Sequence, residues 1–535
     1  MSAVSGAYRR PRAIAQGALA SALLIWGTGR AIGVSWSAFM EESAVAPAMQ
    51  MAAGLLRPAL GVEFVGRTLQ LLTESVAIAG AGMALALLLG VPLALAAIRL
   101  PRLEAAADRE AWWERGARGT ARGVLALLRS VPEIVWAYLF VRIFGLGPLP
   151  AVFAIGLSFA GIVGKLFAEL AEAVDPVPVR ALRAAGASRA GALVFGVWPQ
   201  ARLAWSGYAL FRLECAVRSA AILGVVGAGG LGAEIELSVR YLQFDRLATV
   251  LLALLGSLAL LEAWSAWVRD KRRYDLATLA LMGVAGAMSL AGKVTLAPSV
   301  LESAAAFLRG FARPTTAVVT SPETLRLLGE TLAMAAWATL VAAVIAATLA
   351  PWASGRLTRR GFLPHAATQR NVGRGVVMAL VRGVLLVLRS VPDLVFALLA
   401  VLWVGPGPLA GALAVAAHTI GTLGRLFAES YDDLDVDACR LLQAQGASNF
   451  TIWIYGLLPP AAPRLLAHIF FRFEVNVRAT TMVGFVGAGG LGDAIHTAIS
   501  LFRMGDLAAL LLLLIATVVI LDAIGAHLRR RLLAG

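Results

Sequence analysis

The sequence predicts an all-α polytopic membrane protein with about twelve transmembrane helices, set out as two parallel six-helix repeats. Three observations carry this. Of the 535 residues 59% are hydrophobic, and the mean hydropathy is +0.79, too apolar for a soluble chain whose polar groups must cover its surface. Runs of about 18 or more residues with few charges recur, the length a bilayer core requires at 1.5 Å per residue. The stretch from Arg129 to Gly232 returns as Arg389 to Gly492 at a constant spacing of 260 residues.

The repetition is close. Arg129-Ser130-Val131-Pro132-Glu133 answers Arg389-Ser390-Val391-Pro392-Asp393, and Leu166-Phe167-Ala168-Glu169 answers Leu426-Phe427-Ala428-Glu429. Val226-Gly227-Ala228-Gly229-Gly230-Leu231-Gly232 returns as Val486-Gly487-Ala488-Gly489-Gly490-Leu491-Gly492. Two stretches this similar predict two copies of one fold.

In chain order, spans are expected near 13–34, 68–98, 124–144, 147–166, 203–225, 247–268, 275–292, 325–350, 375–404, 406–425, 465–486 and 507–527. The first follows Tyr8-Arg9-Arg10-Pro11-Arg12 and lacks a small-residue cleavage site, so it reads as a retained helix rather than a signal peptide. Each half, 1–270 and 271–535, holds an even number of spans. Both halves therefore insert the same way up, as parallel repeats related by an axis along the membrane normal, with the pathway expected at their seam.

The net charge of +15 does not point to nucleic acid, because the basic residues sit in short connections beside spans. Alternate connections are rich: Arg9, Arg10 and Arg12; six arginines within 99–122; Arg180, Arg183, Arg189 and Arg202; Arg269, Lys271, Arg272 and Arg273. Those between them hold Arg57, none in 145–149, then Arg240 and Arg246. The second half repeats the bias with five arginines in 353–374 against Lys293, Arg309 and Arg313. The rich set and both termini are expected in the cytoplasm.

Cys215 and Cys439 lie at non-equivalent places in the repeat and make neither a disulfide framework nor a metal site. No Gly-x-x-x-x-Gly-Lys-Ser/Thr loop is present, so the chain is not expected to be its own ATPase. The five histidines are scattered, and no catalytic dyad or metal cluster is legible.

The long inner connections, about 173–202 and 430–463, are the least lipid-like parts. Asp175-Pro176-Val177-Pro178 ends a helix, Val179 to Ala185 reads as a short polar helix, and Gly186 breaks it. Ser188 can cap a second short helix that stops before Trp198-Pro199. Such a hairpin is either a docking element or a solvated connector. Val179-Arg180-Ala181-Leu182-Arg183-Ala184-Ala185-Gly186-Ala187-Ser188, followed by Gly196-Val197-Trp198-Pro199-Gln200, resembles the EAA loop of permease subunits of binding-protein-dependent ABC importers. So does Asp437-Ala438-Cys439-Arg440-Leu441-Leu442-Gln443-Ala444-Gln445-Gly446-Ala447-Ser448 with Gly456 and Pro459. The resemblance implies a coupling helix that fits a cleft in the ATPase subunit, with Arg180, Ala181, Gly186, Ala187, Ser188, Ala438, Gly446, Ala447 and Ser448 as its residues. Arg180 and Ala438 stand where the family has Glu.

Phe211-Arg212-Leu213-Glu214-Cys215-Ala216-Val217-Arg218-Ser219, running into the glycine-rich stretch and preceded by Arg-Ser-Val-Pro, is similar to the phosphonate-transport permease family. Its ordinary member is one half-sized chain that pairs with a second copy. The resemblance implies two permeases of MetI-like fold fused in one chain of a bacterial inner membrane, with no cofactor of its own. It also implies partners: two copies of a cytoplasmic ATPase that bind ATP and Mg, and an extracytoplasmic binding protein delivering phosphonate or a related phosphorus oxyanion such as phosphate or phosphite.

Three groups are candidates for the substrate path. Arg212, Glu214 and Arg218, with Arg472, Glu474 and Arg478, lie about 10 to 16 residues into a span, or about 15 to 24 Å from its inner end. Ionisable groups at that depth face a partner or a wet cavity; Glu214 and Arg218 are four apart and can pair on one helix face. Four arginines against two glutamates leave a net +2 that an anion would offset. Gly227, Gly229 and Gly230, with Gly487, Gly489 and Gly490, serve either close helix packing or a broken helix whose N–H groups meet an anion. The dinucleotide reading of Gly227-x-Gly229-x-x-Gly232 fails for want of a βαβ unit. Ser130-Val131-Pro132-Glu133 and Ser390 to Asp393 fit a capping box that restarts a helix beside Arg129 or Arg389, or a proline kink. The reading from residues and resemblance together is an importer permease; the rival is an ion-coupled secondary transporter of small anions, which leaves the hairpins unexplained.

Overall fold

The computed structural model describes residues 11–34, 42–101, 112–270, 276–291, 305, 309–355, 357, 372–434, 437–448 and 451–534. The basic residues at 9–10, 102, 109, 271–273, 293, 356, 359–360 and 370, and the side chain of Ala438, lie outside them.

The first half contains α1 (Pro11–Ala31), α2 (Glu42–Leu55), α3 (Val62–Ala97), α4 (Trp112–Ser130), α5 (Glu133–Phe144), α6 (Pro148–Glu172), α7 (Pro176–Ala184), α8 (Trp198–Leu223), α9 (Leu231–Arg240) and α10 (Phe244–Asp270). The second contains α11 (Leu276–Ala291), α12 (Pro322–Ala353), α13 (Val372–Ser390), α14 (Asp393–Val404), α15 (Pro408–Asp432), α16 (Asp437–Ala444), α17 (Leu458–Val483), α18 (Gly490–Ser500) and α19 (Met504–Ala534). No strand occurs among the described residues. The helices from α4 to α10 match α13 to α19 in order, so the duplicated sequence is a duplicated architecture.

Among the described residues six helices are long and apolar enough to cross a membrane, or nine if each sharply bent pair is one span. Three further expected spans are occupied by α1, α8 and α11. They miss that measure for reasons visible in the residues: α8 carries Arg202, Arg212, Glu214 and Arg218, α11 has only 16 residues, and α1 ends on Gly-Thr-Gly-Arg-Ala.

Two expected spans are corrected. The stretches 124–144 and 375–404 are helix pairs bent by 87° and 91° at Pro132 and Pro392. Proline has no N–H to continue the ladder, and Pro132 is extended, with ψ 148°. Ser130 does not cap the new helix: its hydroxyl bonds back to the Ala126 carbonyl at 2.6 Å, and α5 starts on Pro132 without a side-chain cap. A third bend, of 61°, falls at Gly489 between the helical run 452–488 and α18.

The helices group into two compact units. One comprises Gln50–Thr315 and Phe502–Ile515; the other comprises Met1–Met49, Thr316–Leu501 and Ala516–Gly535. Within the first, α11 lies against α3, where a Cβ on Gly286 would stand 2.6 Å from the Ala77 carbonyl. Within the other, α1 lies against α12, with Gly29 facing Trp337. Each unit thus contains the leading helix of the other sequence half.

Small residues let the helices touch backbone to backbone. A Cβ on Gly161 of α6 would meet the Arg129 amide nitrogen at 2.5 Å, and one on Gly421 of α15 the Arg389 nitrogen at the same distance. At Gly232 a Cβ would stand 2.6 Å from Gly224 Cα and run into the Ala221 carbonyl. Overpacking of this kind costs about 1–3 kcal/mol. Gly232→Ala should therefore lower the thermal midpoint in detergent, while Gly256→Ala, with nothing within 4 Å of the added methyl, should not.

Candidate functional site

The repeated hairpin is built by short-range rules. The Asp175 side chain accepts from the Val177 amide at 2.9 Å and caps α7. Gly186 then takes a φ of +86°, which a residue without Cβ adopts freely, and Ser188 accepts from the Gly191 amide at 3.2 Å. The expected stop before Trp198-Pro199 is absent: a π-helical stretch, Ala192–Val197, leads straight into α8. Val179 is fully buried beneath Gly196, where a Cβ would come within 3.1 Å of it. Arg180, Ala181, Gly186 and Ser188 face outward, and Ala187 is half-buried.

The second hairpin keeps the plan, with Gly446 at φ +76° and Ser448 accepting from the Thr451 amide at 3.3 Å. Gly446 and Ser448 are exposed and Ala447 half-buried. Cys439 takes the place of Val179, fully buried, with its sulfur 3.0 Å from where a Gly456 Cβ would stand. Burial pushes the Cys439 thiol up from its ordinary value. Because the thiolate is the nucleophile, a Cys215→Ser chain should react slowly with maleimide at neutral pH. Labelling should rise on denaturation or as pH passes the raised pKa.

The hairpin of the first half is tied to the end of α3. Arg189 Nη2 donates to the Ile98 carbonyl at 2.8 Å, and Arg183 Nη1 to the Pro101 carbonyl at 2.8 Å. These two bonds link the hairpin to the residues that follow the long apolar helix α3.

The second candidate lies in the middle of α8, with its counterpart in the middle of α17. Trp205 anchors α8 by stacking on Phe167 of α6, ring centres 4.6 Å apart, and donating to the Phe167 carbonyl at 3.0 Å. Two turns further, Arg212 lies over the Phe159 ring at 4.2 Å, its Nε buried without a hydrogen-bond partner. Arg212 also lies within electrostatic reach of Glu133 at the start of α5. Ser158, beside Phe159, donates to the Val131 carbonyl at 3.1 Å. One stretch of α6 thus holds both the proline corner and the arginine.

The second half holds the matching arginine differently. Arg472 Nη2 donates to Thr419 Oγ1 at 3.2 Å and to Asn476 Oδ1 at 3.3 Å. Thr419 itself donates to Asn476 Oδ1 at 3.1 Å, and Asn476 Nδ2 donates to Thr339 Oγ1 at 2.8 Å. His418 Nδ1 lies 3.3 Å from the Val391 carbonyl, at the place of Ser158. Arg129, Arg472 and Glu474 are buried; Arg212, Glu214, Arg218, Arg389 and Arg478 are half-buried. Ser130 and Ser390 are buried at the corners.

The glycine-rich stretches form turns with φ of +91°, +81° and +66° at Gly227, Gly229 and Gly230 and of +88°, +72° and +71° at Gly487, Gly489 and Gly490. Four hydrogen bonds tie them to neighbouring helices. The Leu231 amide donates to Ser75 Oγ at 2.9 Å and the Leu491 amide to Thr331 Oγ1 at 2.8 Å. Gly147 and Gly407 amides donate to the Gly227 and Gly487 carbonyls at 3.0 and 2.9 Å. These contacts support close packing against α3 and α12.

Phe159, Thr419, Asn476 and Thr339 were not legible as site residues. Their signal is that positions equivalent in the repeat differ in chemistry, Phe159 against Thr419 and Ala216 against Asn476.

The family described as binding-protein-dependent transport system inner membrane component matches residues 105–274 and again 366–534. A phosphate-import permease, PhnE, of Mycolicibacterium smegmatis is 29% identical over 476 residues, 86% of this chain and 85% of the relative. The phosphite transport system permease PtxC of Stutzerimonas stutzeri is 43% identical over 151 residues, 28% of this chain and 55% of its own length. A protein of Escherichia coli named as a cryptic phosphonate transport system permease, PhnE2, is 38% identical over 118 residues, 22% of this chain and 97% of the relative.

Proposed function

The chain belongs to the family of binding-protein-dependent transport system inner membrane components, and from that membership we propose that it supplies both transmembrane halves of an ATP-driven importer for a phosphorus oxyanion: phosphonate, phosphate or phosphite. It is a membrane permease and not itself an enzyme. The observation that carries the proposal is the double family match, each copy containing one hairpin. ATP and Mg belong to two partner ATPase subunits, one docking on the residues around Gly186 and the other on those around Gly446. An extracytoplasmic binding protein delivers the anion. The arginine distribution supports placing both hairpins and both termini in the cytoplasm of a bacterial cell.

The relatives' names support the phosphorus class, and the α8 and α17 arginines supply the matching charge. Ground-state affinity resides in the binding protein, and the arginines ease transit. Uptake of labelled phosphonate, phosphate and phosphite into inverted and right-side-out membrane vesicles tests this. Uptake that requires ATP, the ATPase and the binding protein is expected; uptake by the chain alone on an ion gradient would point to a secondary transporter instead.

A further inference from the structure

The right-angle corners turn α4 and α13 across the spans. α5 runs back alongside α6: Ser158 reaches the Val131 carbonyl at one end of it, and Phe144 stacks on Phe153, ring centres 5.2 Å apart, at the other. The bend of 87° therefore carries α4 over α6, where Leu125 packs on Gly164. By a bend of 91° α13 crosses α15 in the same way, with Leu385 on Gly424. The level of each crossing is marked by charge. From Pro148 to Gly164 α6 carries no Asp, Glu, Lys or Arg, a stretch of about 25 Å at 1.5 Å per residue, and neither does α15 from Pro408 to Gly424. The next residue in each opens an ion pair on the helix surface, Lys165 with Glu169 at 3.7 Å and Arg425 with Glu429 at 2.7 Å. Charge is costly in hydrocarbon, so a helix that turns charged on its surface is leaving it.

The crossing helices suit that level. Trp113, Ala117, Thr120, Val124 and Leu127 of α4 follow one another at spacings of four and three, which keeps them on one flank; all are exposed and none is charged. The matching positions of α13, Gly373, Val377, Leu380, Val384 and Val387, are likewise exposed and uncharged. Leu380 stands 63% exposed, so the described residues leave this row open. At 100° per residue Arg115 and Arg122 of α4 and Arg382 of α13 fall on the other flank.

A helix with one apolar and one basic side lies in the plane of a membrane surface, its apolar side about 5–10 Å into the boundary, where tryptophan is also favoured. We infer that α4 and α13 lie in the plane of the inner leaflet, with the row from Trp113 to Leu127 and its counterpart from Val377 to Val387 sunk among the lipid chains and the arginine flank in water. The leaflet then sets the level of two long helices. Arg122 Nε donates to the Ala97 carbonyl at the end of α3, at 3.0 Å, and Arg382 Nε to the Ala353 carbonyl at the end of α12, at 2.7 Å. The leaflet is the inner one because the hairpins that follow α6 and α15 are read as cytoplasmic; the in-plane placement depends on neither the ATPase nor the cargo.

The test is spin-label accessibility of the full chain in bilayers of phosphatidylethanolamine and phosphatidylglycerol. Cys215→Ser and Cys439→Val, the latter the residue of the matching place in the first half, clear the background. Single nitroxides then go on Val124→Cys and Val384→Cys in the row, and on Gly119→Cys and Ala379→Cys on the other flank. Relaxation by oxygen relative to a water-soluble nickel chelate should be severalfold higher at 124 and 384 than at 119 and 379. Labels on Leu127→Cys and Leu380→Cys serve where a first choice misfolds. Row labels that favour the chelate would place the row in water and overturn the inference. Row labels reached by neither reagent would mark a face covered by protein, a second copy of the chain included, and overturn it too. Equal preference for oxygen at all four sites would mark helices immersed in the bilayer, the halves of a bent span, and overturn it as well.

Discussion

A chain carrying Gly186→Trp and Gly446→Trp should reach the membrane intact and import at least about a hundredfold less, a loss of about 2.7 kcal/mol in productive coupling. Both glycines sit in the left-handed region and nothing lies within 4 Å of a Cβ at either. The added side chain therefore starts clear of its neighbours and projects from the exposed face proposed to dock the ATPase. The backbone strain is about 1–2 kcal/mol per site, and the caps on either side, Asp175, Ser188 and Ser448, remain. Asparagine tolerates positive φ, so Gly186→Asn/Gly446→Asn should keep most uptake. The measurement is uptake beside retention of the ATPase on an affinity-tagged chain. Full uptake by the tryptophan variant would remove the hairpins from the coupling role.

The second large effect separates two arginines that the sequence makes look alike. Arg212→Gln should reduce uptake at least tenfold with little change in thermal midpoint. Its contact with Phe159 is worth about 2 kcal/mol when desolvated, and the substitution also removes a half-buried charge whose partial desolvation is itself costly. Arg472→Leu should instead destabilise by about 1–3 kcal/mol, because Thr419 and Asn476 lose a charged donor inside a closed network. Paired uptake and melting curves on the two variants decide the matter. Unchanged uptake in Arg212→Gln would take that residue out of the path.

Much of the architecture was legible because period and repetition are local signals. Span positions, the hairpin break at Gly186 and the Ser188 cap all follow from residues within a few positions of one another. The right-angle corners were not, since Ser-Val-Pro fits a cap and a kink equally. What decides is Ser158 or His418, 27 residues away, reaching the Val131 or Val391 carbonyl at the corner itself. The glycine turns likewise depend on Ser75 and Thr331, on the order of 150 residues distant. The unlike settings of Arg212 and Arg472 are not legible in the motifs that the repeats share. The difference lies at Phe159 against Thr419 and Ala216 against Asn476.

The central claim is that one 55.9 kDa chain brings both hairpins and completes the transmembrane part of the importer. Native mass spectrometry of the complex purified with its ATPase tests this directly. One copy of the chain with two ATPase subunits is the predicted mass. Two copies of the chain in the active complex, or a chain that imports with no ATPase attached, would contradict it.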